Sequence, residues 1–247
     1  VGPLGKLLQP LGNLDFEEAV QAFGQIVRLG VENGADLILI ETMNDAYETK
    51  AAVLAAKENS TLPVFVTNVY DERGKLMTGA DPLAMIAMLE GLRVDALGMN
   101  CSLGPAQMKV LMPEFARYAS VPVIVNPNAG LPRSVDGKTI YDVGPEEFAS
   151  LMREIAREGA RILGGCCGTT PEYIRQMIAA TSDMTPLPLT EKTDTVVSSY
   201  THGVRVGDRT ILIGERINPT GKKKLKEALK KHDIAYILNE GLKQADQ

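Results

Sequence analysis

The run RVDALGMNCSLGPAQMKVLMPEFARYASVPVIVN, residues 93–126, decides the fold. Ala96–Met99 is a short apolar stretch with no polar alternation, and Val123–Val125 is another. Between them, Gly104–Ser120 is long enough for a helix and opens with a proline at its second position. Uninterrupted apolar strands joined by a helical crossover predict buried parallel strands. The same unit recurs in both directions, at Leu37–Ile40, Val64–Val66 and Arg161–Leu163. Successive strand starts lie 27, 32, 27 and 38 residues apart. Helical periodicity fills the gaps. Phe16, Ala19, Val20, Phe23, Ile26, Val27, Gly30 and Val31 make one apolar stripe, with Asp15 and Glu18 at capping-box spacing and Gly34 as the stop. Asp81–Gly91, Pro145–Gly159 and Thr170–Ala180 follow, the last opening Thr-Pro. This alternation fits a (β/α) barrel or an open doubly wound sheet. Eight such units need roughly 250 residues. Only five are visible in the first 180 residues, so a barrel reading places its first strands outside this chain.

Composition narrows the function classes. The net charge of −5 argues against a nucleic-acid binder acting through its field. No stretch is apolar for the length of a membrane span, and nothing reads as a signal peptide. Three cysteines in 247 residues are no disulfide framework, which points to the reducing cytoplasm with free or metal-bound thiols. Residues 181–209 turn polar and rich in Pro and Thr, and read as a linker. Thr210–Gly214 (TILIG) then reads as a new strand, and Lys222–His232, with six lysines, as a solvated helix. One strand and one helix do not make a domain.

The cysteines carry the chemistry. Cys101 follows one predicted strand, and Cys166 and Cys167 follow another through Gly164-Gly165. All three therefore fall on the C-terminal rim of the sheet, where parallel α/β folds build their sites. Three thiolates around Zn²⁺ leave one tetrahedral position open, the arrangement of a catalytic zinc. Such a site suits a substrate thiol that must stay nucleophilic. The alternative on spacing alone is three buried thiols acting as small hydrophobes.

Asn100–Ser102 (NCS) and Gly164–Ile174 (GGCCGTTPEYI), with Glu41–Glu48 (ETMNDAYE) and Val1–Pro10 (VGPLGKLLQP), resemble the homocysteine S-methyltransferase family over residues 1 to about 180. The resemblance implies a (β/α)₈ TIM barrel, here truncated at its N-terminus because Val1–Pro10 matches the segment after the family's third strand. It implies Zn²⁺ on Cys101, Cys166 and Cys167, homocysteine as substrate, and Glu41 on the substrate amino group. Asn68, Asn100, Asn126 and Asn128 all follow strands and read first as residues that shape the loops or stand behind the site, with direct substrate contact as the alternative; of the four, Asn100 is carried with Glu41 as a substrate-binding residue. Ile213–Leu229 (IGERINPTGKKKLKEAL) resembles the opening of the pterin-binding domain that follows the homocysteine domain in cobalamin-dependent methionine synthases. Glu215 and Asn218 match pterin-contacting positions. The implied organisation is a zinc barrel at 1–180, a linker at 181–209 and the start of a second α/β barrel at 210–247. The implied reaction methylates homocysteine from methylcobalamin, with methyltetrahydrofolate as the ultimate donor. A methyltransferase using betaine or S-methylmethionine, and a non-catalytic zinc module, are the rival readings.

Overall fold

The computed structural model describes residues 1–135 and 137–246. It forms two compact units, Val1–Arg205 and Val206–Gln247.

The first unit is built on five parallel strands. These are β1 (Ile38–Met43), β2 (Val64–Asn68), β3 (Ala96–Asn100), β4 (Val123–Asn126) and β7 (Ala160–Leu163). They pair in the order β1-β2-β3-β4-β7, each with the next one along the chain. The apolar runs at 64–66, 96–99, 123–125 and 161–163 lie within these strands, and the run at 37–40 enters β1 from Ile38, leaving Leu37 just outside. The strand interiors are apolar because both faces are covered: every residue of β3 is buried. Val1 extends the sheet by one rung beyond β1: its ammonium donates to the Leu39 carbonyl at 2.8 Å and its carbonyl accepts from the Glu41 N–H at 2.9 Å.

Six helices cross between strands or flank them: α1 (Phe16–Glu32), α2 (Ala46–Asn59), α3 (Pro82–Gly91), α4 (Pro105–Tyr118), α5 (Pro145–Arg157) and α6 (Pro171–Thr181). Their starts follow local chemistry. Asp15, Asp45 and Asp81 cap α1, α2 and α3 through side-chain oxygens that accept main-chain N–H groups. Pro occupies the first turn of α3, α4, α5 and α6, where its missing N–H costs nothing. Phe23, Phe115 and Phe148 are fully buried between helices and sheet, each contributing roughly 1.5–3 kcal/mol of transfer free energy. The stripe on α1 is narrower than its sequence implies, since Ile26 and Val31 are exposed.

A hairpin, β5 (Pro132–Val135) with β6 (Lys138–Tyr141), interrupts the β4-to-α5 connection on the C-terminal rim. A second, β8 (Thr195–Ser198) with β9 (Gly203–Val206), lies within the stretch that reads as a linker. That stretch is docked. α3 is apolar around nearly its whole circumference, and β8 packs along it, with Val196, Leu83 and Ile86 lining one cleft. The Asp81 N–H donates to the Thr201 carbonyl at 3.0 Å, and the Gly203 N–H donates to Asp81 Oδ1 at 3.3 Å. Gly203 is needed there, because a Cβ would sit 2.5 Å from Leu83 Cγ. The Tyr200 hydroxyl donates to Asp45 Oδ2, and Lys192 N–H to Ser120 Oγ at 3.1 Å.

In the second unit, α7 (Lys223–Lys230) and α8 (Ile234–Ala245) pack together. The expected strand at Thr210–Gly214 is absent. Leu212 and Ile213 are 87% and 82% exposed. A strand needs a partner for its main-chain groups and a face to bury, and this run has neither.

Candidate metal centre

The ends of two strands, β3 and β7, bring the cysteines together. Cys101 follows β3, and its N–H donates to the Asn126 carbonyl at 3.1 Å. It and Ser102 both take left-handed backbone, at φ 58° and 63°, a strained choice for residues with a Cβ. The Leu103 N–H closes back on the Cys101 carbonyl at 2.7 Å. This tight reversal ends the strand, and α4 begins at Pro105.

Cys166 and Cys167 follow β7 through two glycines. A Cβ on Gly164 would meet Asn126 Oδ1 at 2.6 Å, and one on Gly165 would meet Thr169 Oγ1 at 2.6 Å. Gly168, at φ +81°, lies under the Tyr141 ring, where a Cβ would sit 2.4 Å from the ring carbon. The loop is pinned on both sides. Cys166 N–H donates to the Pro127 carbonyl at 2.8 Å, Cys167 N–H to Asn128 Oδ1 at 3.0 Å, and Ala129 N–H to the Cys167 carbonyl at 2.9 Å.

The three sulfurs lie within 4.8 Å of one another, with Cys101–Cys167 at 3.8 Å and Cys166–Cys167 at 3.9 Å. These are not disulfide distances. Tetrahedral zinc with Zn–S bonds of about 2.3 Å puts its sulfurs roughly 3.8 Å apart, so the donor set fits that ion. Without a cation the thiols disfavour one another's charge: burial first, then the neighbouring Cys101, push Cys166 up to about 12. Burial and the three nearby sulfurs also raise the Tyr141 phenol.

Asn100 is 1% exposed and touches the cluster. Its Nδ2 donates to Cys166 Sγ at 3.9 Å and to Thr42 Oγ1 at 2.8 Å, and its Oδ1 accepts the Thr42 N–H at 2.9 Å. Glu41 precedes Thr42 on β1 and is exposed, with its N–H on the Val1 carbonyl. Asn126 and Asn128 shape the loops, as above, whereas Asn68 is buried beside Thr49 and Met43. Thr42 and Tyr141 escaped sequence reading. Thr42 sits at φ 63° and Tyr141 on a hairpin that sequence reading left out. Glu215 and Asn218 belong to the second unit. Glu215 pairs with Lys222 at 3.3 Å, and Asn218 Oδ1 accepts the Thr220 N–H at 3.0 Å as an Asx turn.

A parallel α/β sheet with a three-thiol cluster at its C-terminal edge presents a donor set that could hold a metal ion. The family model for homocysteine S-methyltransferase matches residues 1–181, and the chain belongs to that family of methyltransferases. It is 36% identical over 247 residues to a methionine synthase of Mycobacterium tuberculosis, and 35% identical over 252 residues to one of Mycobacterium leprae. Each alignment covers 97% of this chain but only 21% of the relative, so the chain spans about a fifth of those proteins. Among solved structures, the metallated homocysteine methyltransferase MmuM of Escherichia coli superposes with TM-score 0.53 at 25% identity, covering 65% of this chain and 51% of that one. Its apo form superposes with TM-score 0.56 at 24% identity, covering 73% and 60%.

Proposed function

We propose that this chain is part of a methionine synthase and carries its homocysteine-activating centre. The observation that carries the reading is the sulfur triangle: two of its edges, at 3.8 and 3.9 Å, match tetrahedral zinc, and three thiolates would leave a fourth position for substrate. Bound Zn²⁺ would keep the homocysteine sulfur a thiolate at neutral pH and fix its direction. The chain's own residues do the rest. Cys101, Cys166 and Cys167 supply the donors, and the pinned loop keeps them from rearranging. Glu41, exposed at the end of β1, offers a carboxylate to the substrate ammonium. The thiolate sulfur so held would be the nucleophile toward the donor's methyl carbon, the new S–C bond forming as the donor keeps the electron pair of its broken bond to carbon.

The donor we assign is methylcobalamin, recharged from methyltetrahydrofolate. Support comes from the similarity to methionine synthases along nearly the whole chain, including the segment after residue 181 that the family model leaves uncovered. In this reading residues 210–247 open a pterin domain, with Glu215 and Asn218 turned to the pterin once that domain is complete. The sheet order never reverses along the chain, which suits the wall of a (β/α)₈ barrel better than a doubly wound sheet with its switch point. The truncated barrel would then be closed by strands of the longer protein, and the enzyme would work in the cytoplasm.

X-ray absorption tests the centre. Zinc-loaded protein should show three sulfur neighbours at about 2.3 Å and four after homocysteine is added. A count unchanged by homocysteine would leave a structural metal and defeat the catalytic reading. Replacing any one cysteine by Ser should lower zinc affinity by more than the roughly 10–100-fold typical of outer-shell changes.

A further inference from the structure

We propose that Asn100 is a positioning residue that locks the Cys166 sulfur and the Glu41-Thr42 turn into one frame, so that the two ends of the substrate site cannot drift apart. The inference rests on the homocysteine reading above, and it replaces the expectation that Asn100 touches substrate directly.

The geometry settles how the amide is turned. The Thr42 N–H donates to it at 2.9 Å, which requires the oxygen on that side. The nitrogen must then face the opposite way, and it does so twice, with Thr42 Oγ1 at 2.8 Å and Cys166 Sγ at 3.9 Å. Both amide hydrogens are thus used within the protein, and the oxygen holds a main-chain N–H. With 1% of its surface exposed, Asn100 is placed to hold its neighbours rather than to reach out to a ligand.

The strut joins two strained places. Thr42 is a β-branched residue at φ 63°, in the irregular stretch where the β1–β2 register shifts between Ile40 and Met43. Left-handed backbone at such a residue persists only when its surroundings over-determine it. Both polar groups of Thr42 that could do so, the N–H and the hydroxyl, end on Asn100. At the other end, an N–H aimed at a thiolate tempers its charge and restricts its direction, the usual office of a group behind a metal ligand. One side chain therefore couples the exposed carboxylate of Glu41, the next residue along β1, to a sulfur on β7's loop, two elements that are not neighbours in the sheet.

The test uses the full chain carrying Asn100→Ala and, separately, Thr42→Val. Zinc affinity is read by competition with a chromophoric chelator, and Co²⁺ is substituted to record the sulfur-to-metal charge-transfer band. Wild-type zinc binding reports on the metal-centre reading itself, and the variant-to-wild-type ratio reports on Asn100. N100A should lose roughly 10–100-fold in affinity and shift the cobalt band. T42V keeps the amide and all three thiols but frees one anchor, and should lose several-fold with a broadened band. A purely structural role would leave the cobalt band unmoved. Folded N100A with affinity within twofold of wild type and a superimposable spectrum overturns the proposal. If N100A does not fold, T42V decides by the same two readouts: a changed affinity and band support the strut, and unchanged ones overturn it.

Discussion

The main-chain N–H of Cys167 donates to Asn128 Oδ1 at 3.0 Å, bridging the loops that follow β7 and β4. Asn128 is 2% exposed, so its carbonyl oxygen has no water to fall back on. Asn128→Ala would leave the part-buried Cys167 N–H without its acceptor, at a cost of about 0.5–1.5 kcal/mol. Urea unfolding of N128A should show a lower midpoint with unchanged slope. Asn128→Asp, which keeps the acceptor, should recover most of the loss, and equal damage from both variants would disprove this account.

The glycines of β3 and α3 make opposite predictions. A Cβ at Gly98 would lie 1.9 Å from the Ile124 carbonyl oxygen, a backbone atom that cannot swing away. Gly98→Ala should cost about 3 kcal/mol or more, by forcing β3 off β4. Gly91, the last residue of α3, has nothing within 4 Å of its would-be Cβ. Gly91→Ala should be neutral or stabilising by a few tenths of a kcal/mol. Paired thermal melts check both, and a tolerated G98A would mean the β3–β4 register is wrong.

Limited proteolysis should map the docked stretch. Residues 185–191 and 207–216 are exposed or nearly so and lie outside helices and strands. Residues 195–206 are paired as a hairpin and tied to Asp45 and Asp81. First cuts should fall in the two flanking stretches and spare the hairpin. Early cleavage between 195 and 206 would show that it is not held.

Alkali should loosen the same hairpin. Burial first, then the bond to Asp45, raise the Tyr200 phenol from 10.0 to about 12. A group whose pKa is raised on folding contributes stability that is complete below its unfolded value and is lost as pH climbs through the folded one. The wild type should therefore lose this contribution between pH 10 and about 12. Tyr200→Phe lacks it at every pH, so its melting temperature should converge on the wild type's across that window. Parallel melting curves would refute the assignment.

Much of this architecture was legible because the five strands are continuous apolar runs, buried on both faces, with helices of ordinary length between them. The cysteines were legible too, since each follows such a run. Short elements that owe their existence to tertiary cover were not. Thr195–Ser198 (TVVS) is only four residues long and mostly exposed, and it is held as a strand by pairing with β9 and by packing on α3. Thr210–Gly214 has the better strand composition and forms none, for want of a sheet. The β5–β6 hairpin carried one signal, the Asp-Gly pair at 136–137, but a strand opening on Pro132 masks it. Asn100 was found by its neighbour Cys101, yet its role depends on Thr42, a contact between residues 58 apart in the chain that spacing does not disclose.

The unbroken strand order bears on how the chain is made. Ile38 pairs with Val64, Phe65 with Ala96, Leu97 with Val123, and Ile124 with Ile162. Within this chain, each of these rungs joins a strand only to the next one synthesised. Loop-closure entropy is thus met in small, similar instalments. The sheet can therefore accrete from its N-terminal side while translation continues, and the two halves of the thiol cluster meet only when the last of the five strands has been laid down.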